Sequence, residues 1–204
     1  MAPLNWARVQ DALRAHSPQT ISDSEPTNAR AAVALVFREG RDGLELLFIK
    51  RAEHERDPWS GHIGFPGGRS EPGETDLRTT VVRETAEETG LDLARDGELA
   101  GRLDEVRAMA RGRPVDLAIT PFVFRLRQPG EGAPSHEVVS LHWLSLGALL
   151  DPRHLSTMGY RYKETMLQLP CLRIEGLEIW GLTFRMFQSL GRLLDAAEPS
   201  FPGP

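Results

Sequence analysis

Residues 64–91 read GFPGGRSEPGETDLRTTVVRETAEETGL, and the fold turns on how this stretch divides. Its first part is rich in Gly and Pro, which interrupt regular structure and let backbone approach a neighbour with no side chain in the way. From residue 76 the pattern changes. Thr75 or Asp76 can cap a helix over 76–89, and Gly90 stands where a left-handed C-cap belongs. Glu84, Glu87 and Glu88 fall at i, i+3 and i+4, so they share one face of that helix. Val82 and Ala86 are expected on the opposite, core-facing side. Each close like-charge pair in such a cluster costs ~0.2–0.5 kcal/mol, and the nearby C-terminal end of the helix dipole disfavours acids further. A divalent cation reverses both penalties, because clustered hard oxygens suit Mg2+ or Mn2+. A solvated acidic face accounts for the composition equally well; the Gly-rich loop directly before the helix favours a site.

Working towards the N-terminus, residues 31–37 and 44–49 are β-leaning runs around a hairpin-like turn at 39–43. Residues 51–69 form a Gly- and Pro-rich loop of the kind that carries function. Residues 5–15 read as an amphipathic helix, with Trp6, Val9 and Leu13 at i, i+3 and i+7, and the polar stretch 16–28 as a linker. Towards the C-terminus, strands are expected at 99–103, 117–126 and 138–144, with a short helix at 146–150. A hairpin pairs 172–174 with 177–180 across Glu175-Gly176, and a helix closes the chain over 182–194. The expected class is α+β. The expected organisation is an N-terminal helix and linker over 1–28, one domain over 29–198, and a flexible tail over 199–204.

The chain has 204 residues, and its 24 Lys and Arg against 29 Asp and Glu give a formal charge of −5. That balance offers no bulk electrostatic footprint for a nucleic-acid backbone, so a polyphosphate ligand has to be met through a cation. No apolar run approaches the roughly 20 residues of a membrane span. The first residues, Met1 to Trp6, lack a basic region followed by an apolar core, so no secretory signal is expected. Cys171 is the single cysteine and cannot form an internal disulfide; between Pro170 and Leu172 it reads as a buried, inert thiol. The expected setting is cytoplasmic.

Gly68-Arg69-Ser70-Glu71-Pro72-Gly73-Glu74, followed by Arg83-Glu84-Thr85-Ala86-Glu87-Glu88-Thr89-Gly90-Leu91, resembles the signature box of the Nudix hydrolases. Eight residues separate Glu74 from Arg83, one more than the family's usual spacing and the same as in its coenzyme A pyrophosphatase-like branch. Leu46 to Ala52, Phe65-Pro66-Gly67-Gly68, Thr120-Pro121-Phe122-Val123 and Ile179-Trp180-Gly181-Leu182-Thr183 are also similar to that branch. The stretch Asp57-Pro58-Trp59-Ser60 is one residue longer than its pattern.

The resemblance implies an α/β/α sandwich with a mixed sheet between helices, a homodimer, and hydrolysis of a diphosphate linking a nucleoside to another moiety. Coenzyme A, cleaved to 3′,5′-ADP and 4′-phosphopantetheine, is the first substrate it suggests. A broader ADP-ribose or NADH pyrophosphatase and a non-catalytic nucleotide-binding regulator are the alternatives. It further implies Glu84 and Glu88 as ligands of Mg2+ or Mn2+ with the Gly67 carbonyl, and Glu87 as a further ligand or as the base. Arg83 enters the catalytic set either paired with Glu74, fixing the loop to the helix, or touching phosphate.

Outside the box, Glu137 is a candidate base or ligand, with a plain exposed Glu as the alternative. Lys50, Arg51 and Arg56 are candidates for binding substrate phosphates, and Trp59 for stacking on a base or anchoring its loop. His54, His62, His136 and His142 show no metal-ligand spacing and read as structural.

Overall fold

The run at 31–37 belongs to a longer strand, β1 (Ala29–Gly40), in the computed structural model, which describes residues 4–21, 29–54, 59–110, 112–162 and 164–194. Its side chains alternate between two cores. Ala32, Ala34 and Val36 face one cluster, and Ala31, Leu35 and Phe37 face the other, which is the period of a strand buried on both sides. β2 (Gly43–Arg51) returns antiparallel from the predicted turn, and β7 (Arg113–Leu126) runs parallel to β1 from Ala29↔Leu117 to Phe37↔Arg125.

The other edge of β1 is divided. β4 (Gly67–Arg69) pairs with its first part, Ala31↔Arg69 to Val33↔Gly67, and β2 with its last part, Phe37↔Leu46 to Gly40↔Gly43. Between them the Ala34 N–H donates to the Pro66 carbonyl at 2.8 Å. β3 (Ile63–Gly64) and β8 (Val138–Ser145) pair with β2, and β5 (Gly97–Arg102) and β6 (Val106–Ala110) with β7, so the mixed sheet has eight strands among the described residues. β9 (Leu155–Tyr162), β10 (Thr165–Ile174) and β11 (Leu177–Trp180) form a second, antiparallel sheet. The β10–β11 hairpin is the expected one, with Glu175 and Gly176 both at positive φ (51° and 78°), as a tight turn with the twist of its strands requires. β6, β9 and most of β10 escaped the sequence reading. β6 is only five residues long, whereas β9 does alternate, with Met158, Tyr160 and Tyr162 half-buried between exposed Thr157, Gly159 and Arg161, a period-two signal that was passed over.

Helices lie on both faces of the mixed sheet, as the sandwich requires. α2 (Leu77–Thr89) and the short α3 (Leu93–Asp96) cover the face of Ala32, Val36 and Leu47 through Val81 and Leu93. α1 (Trp6–Ala15), α4 (Leu146–Leu149) and α5 (Gly181–Leu193) join the second sheet on the face of Phe37 and Phe48. Burying each of those two phenylalanines stabilises the fold by about 1.5–3 kcal/mol. Cys171 lies wholly buried in the second sheet, as expected.

α1 packs on this same domain: Trp6, Val9 and Leu13 are buried in the larger core, with the Trp6 ring 5.8 Å from that of Phe37. The described part of the segment after it, residues 16–21 of the expected linker, is hydrogen-bonded to the domain. The Gln19 N–H donates to Asp104 Oδ1 at 2.8 Å, the Glu105 N–H to the Gln19 carbonyl at 2.9 Å, and the Ile21 N–H to Glu105 Oε2 at 3.0 Å. The enclosed carboxylate of Glu105 also accepts from Arg30 Nη2 and, at 2.9 Å, from Thr120 Oγ1. Residues 22–28, the rest of the expected linker, and the tail over 199–204 lie outside the described residues.

Removing a buried ionic partner strands the groups that faced it. Glu105→Ala strands the Thr120 hydroxyl and the Ile21 N–H, while Arg30 is exposed enough to rehydrate, so it is expected to lower unfolding free energy by about 1–3 kcal/mol in urea titration. A loss below about 0.5 kcal/mol would show that Glu105 does not hold residues 19–21 to the fold.

Candidate functional site

Both expected caps hold α2. Asp76 accepts from the Arg78 N–H at 2.8 Å, and Gly90 adopts φ 69° with its N–H bonded to the Ala86 carbonyl. The buried face differs from the expected one: Val81, Thr85, Glu88 and Thr89 are buried, Val82 is half-buried and Ala86 is exposed. The row that meets the sheet follows Val81 and Thr85 at i and i+4, and Ala86 falls outside it. This rotation separates the acids. The Glu84 and Glu88 side chains turn inward, 18% and 4% exposed, while Glu87 is 59% exposed.

Arg83 sits at the centre of the outward group. Its Nε donates to Glu74 Oε1 at 3.0 Å, its Nη1 to Glu84 Oε1 and to Glu87 Oε2 at 3.0 Å each, and its Nη2 to the Arg69 carbonyl at 3.3 Å. Glu74 also accepts from the Glu71 N–H at 2.9 Å and from Thr80 Oγ1 at 2.7 Å. Chiefly through the Arg83 hydrogen bond, its carboxyl is held down to about 2. The guanidinium thus clamps residues 69–74 onto α2, and the eight-residue spacing leaves that contact intact.

The clamp lays Gly67 and Gly68 over the inward acids. The Gly67 N–H donates to Glu88 Oε2 at 2.8 Å, and a side chain at Gly68 would meet the Glu84 carboxyl at 2.4–2.5 Å. Gly67 has φ 144°, and a Cβ there would lie 2.2 Å from the Ala32 carbonyl oxygen. Burial raises the Glu84 carboxyl and pushes that of Glu88 up to about 7, only partly offset by the Gly67 N–H and by Arg51 Nη1 at 3.6 Å.

These groups open into a cleft of about 810 Å³. Gly67, Glu84, Glu88, Arg51, Trp59 and Glu137 all line it. Trp59 is both wall and anchor, its Nε1 donating to the Met109 carbonyl at 3.0 Å. Other proposed residues stand elsewhere: Lys50 is exposed and Glu87 is bound to Arg83, neither among the lining residues, and Arg56 lies outside the described residues. His62, expected to be structural, faces the cleft with its ring 4.7 Å from that of Trp180, whose indole lies 5.5 Å from Tyr160. Tyr160, Leu167, Leu169 and Arg185 complete that side. In the sequence reading only the quoted segment at Trp180 pointed to it, because β9 and β10 were not anticipated.

The donor set suits a hard divalent cation. Glu84 and Glu88 supply carboxylate oxygens whose burial Arg83 and Arg51 offset only in part, and the backbone over them has no side chain that could block a ligand. As the side chains stand, no three of His, Cys, Asp or Glu among the described residues converge on one point, because Arg83 holds Glu84 and Glu87. The groups that could hold the ion are therefore Glu84, Glu88 and the Gly67 carbonyl, with Glu87 joining only on leaving Arg83.

Residues 27–165 match the family model described as NUDIX domain. The chain is 33% identical over 127 residues to the peroxisomal coenzyme A diphosphatase ndx-8 of Caenorhabditis elegans, covering 60% of this chain and 51% of the relative. It is 28% identical over 166 residues to the mitochondrial coenzyme A diphosphatase NUDT8 of Mus musculus, covering 78% and 74%. Against the first relatives it matches, the chain spans about half their length (48%, 41% and 51%). A MutT protein from Methanosarcina mazei Go1 shares the fold at TM-score 0.51 and 22% identity, covering 88% of this chain and 96% of that one.

The raised carboxyl of Glu88 sets a pH dependence. With 4.5 as its ordinary value and about 7 in the fold, its contribution to stability is complete below 4.5 and is lost as pH rises through 7. A cation needs the ionised form, so it competes with a proton below 7 and not above. At one subsaturating Mn2+ concentration, the rise in Tm is expected to be larger at pH 8 than at pH 5.5. Equal rises, or the reverse order, would detach Glu88 from the cation.

Proposed function

Given that this chain belongs to the NUDIX family, we propose that it is a metal-dependent pyrophosphatase acting on a nucleoside diphosphate linked to another moiety. Coenzyme A or a derivative is the substrate, and 3′,5′-ADP and 4′-phosphopantetheine are the products. The observation that carries the reading is the pair of inward acids, Glu84 and Glu88, beneath the Gly67-Gly68 backbone in a cleft roomy enough for a cofactor-sized molecule. The coenzyme A diphosphatases among the relatives support that substrate as the first to try.

Bound Mg2+ or Mn2+ would neutralise the diphosphate oxygens and lower the pKa of a coordinated water. Glu84, Glu88 and the Gly67 carbonyl hold the cation, and Arg51, 3.6 Å from Glu88, offers its guanidinium to a phosphate oxygen. Glu137 takes the proton of the attacking water. Its carboxylate borders the cleft and its charge raises both Glu84 and Glu88, whereas Glu87 points away into the Arg83 cluster. Arg83 is then a positioning residue, acting through Glu74 and the 69–74 loop.

The setting and assembly belong to the same reading. A cytoplasmic location is supported by the lone buried Cys171, and among the described residues no helix is long and apolar enough to cross a membrane. The homodimer implied by resemblance is checked by light scattering on the purified chain.

Purified protein with coenzyme A and Mg2+ or Mn2+ is expected to release 3′,5′-ADP. Glu88→Gln, which matches the shape of the protonated side chain, should lose at least about 100-fold in kcat while keeping its fold. Hydrolysis of ADP-ribose or NADH but not of coenzyme A would transfer the reading to the broader pyrophosphatase, and nucleotide binding without turnover to a regulator.

The choice of base has its own test. Glu137→Gln is expected to lower kcat by roughly 100-fold or more, with Glu87→Gln milder. The opposite ranking would make Glu87 the base.

A further inference from the structure

We propose that Arg185 is a specificity-determining residue whose guanidinium binds a phosphate monoester carried by the substrate in addition to the diphosphate that is cleaved. This rests on the pyrophosphatase reading and narrows its substrate class to nucleoside diphosphate derivatives bearing a separate phosphate.

Arg185 borders the cleft from α5, an element remote in sequence from the carboxylate helix. Its neighbours Phe184 and Met186 are buried in the larger core, so the helix backbone at this point is fixed while the Arg185 side chain is exposed. The start of α5 is tied to β3 by Thr183 Oγ1, which donates to the Ile63 carbonyl at 3.0 Å. Among the described residues the Arg185 guanidinium has neither a hydrogen bond nor an ion pair. Arg51 differs in kind, since it faces Glu88 at 3.6 Å and belongs to the acid-lined part of the cleft.

The cleft is lined by the acids Glu84, Glu88 and Glu137 and by three arginines, of which Arg51 and Arg69 end strands β2 and β4 and Arg185 stands on α5. The acids supply its negative region, where a diphosphate is met through cations. Arg185 supplies positive charge from α5, an element that carries none of the acids. A cleft of about 810 Å³ takes far more than a diphosphate, and a planar guanidinium fork matches two oxygens of a phosphate. The anion that suits Arg185 is one placed on the substrate away from the bond that breaks.

The test uses the full chain and two ligand pairs that differ only in such a phosphate. Coenzyme A and 3′-dephospho-coenzyme A are compared as substrates, and 3′,5′-ADP and 5′-AMP as ligands in titration calorimetry. Arg185→Ala should lower kcat/KM for coenzyme A by roughly 10- to 100-fold, mainly through KM, and leave the dephospho form within about twofold. The wild type should bind 3′,5′-ADP at least about tenfold more tightly than 5′-AMP. Arg185→Ala should erase that preference, and Arg185→Lys should restore part of it. Equal losses for both substrates, or a wild type that binds both nucleotides alike, would overturn the proposal. A wild type that discriminates between the nucleotides but does not cleave coenzyme A would sink the substrate named above and leave Arg185 standing.

Discussion

A strand has two edges, and each backbone amide along an edge can be satisfied once. β1 meets that constraint by giving one edge to β7 and dividing the other between β4 and β2. The division has a chemical result. It fixes Gly67 and Gly68 in the sheet over a helix that the same strand packs through Ala32, Ala34 and Val36. The small side chains of Ala32 and Ala34 let α2 approach closely enough for the Gly67 N–H to reach Glu88. The acids are thus positioned by the backbone pairing of the core, not by a loop free to drift.

Electrostatics then sort three similar glutamates into different environments. Glu88 is nearly enclosed, Glu84 is mostly enclosed and shared with Arg83, and Glu87 is largely in solvent on the far side of that guanidinium. Burial alone disfavours the charged form of the first two. What offsets it is partial, the Gly67 N–H and Arg51 at 3.6 Å for Glu88 and Arg83 at 3.0 Å for Glu84, so both carboxyls stay raised. Arg83 and the Glu105 network behave differently: their charges are closed on themselves and hold loops in place.

Legibility followed sequence distance. Helix α2 and its Asp76 and Gly90 caps lie close together and local rules locate them, while the Glu74–Arg83 pair was legible only through the family resemblance. The face of α2 was misjudged because its buried row contains Thr80, Thr85, Glu88 and Thr89, which blurs the apolar stripe and left Ala86 looking like a core position. Glu105 was invisible because Arg30 and Thr120 reach it across seventy-five and fifteen residues. The aromatic side of the cleft was missed with the strands that build it: Tyr160 sits in β9, whose alternation runs over half-buried rather than buried positions, and Leu167 in the exposed first part of β10.

The parallel pairing of β1 with β7 matches Ala29 with Leu117 and Phe37 with Arg125. Contacts so distant along the chain close late, because the entropy of the intervening loop has to be lost before the pairing returns anything. The β1–β2 hairpin and α2 are local and can form earlier. Until β4 lays Gly67 and Gly68 along β1, the acids of α2 remain hydrated. Their desolvation comes with that pairing, which takes up a proton or a cation as it proceeds. The folding equilibrium of this chain is then linked to the composition of the solvent through the same two glutamates that define its cleft.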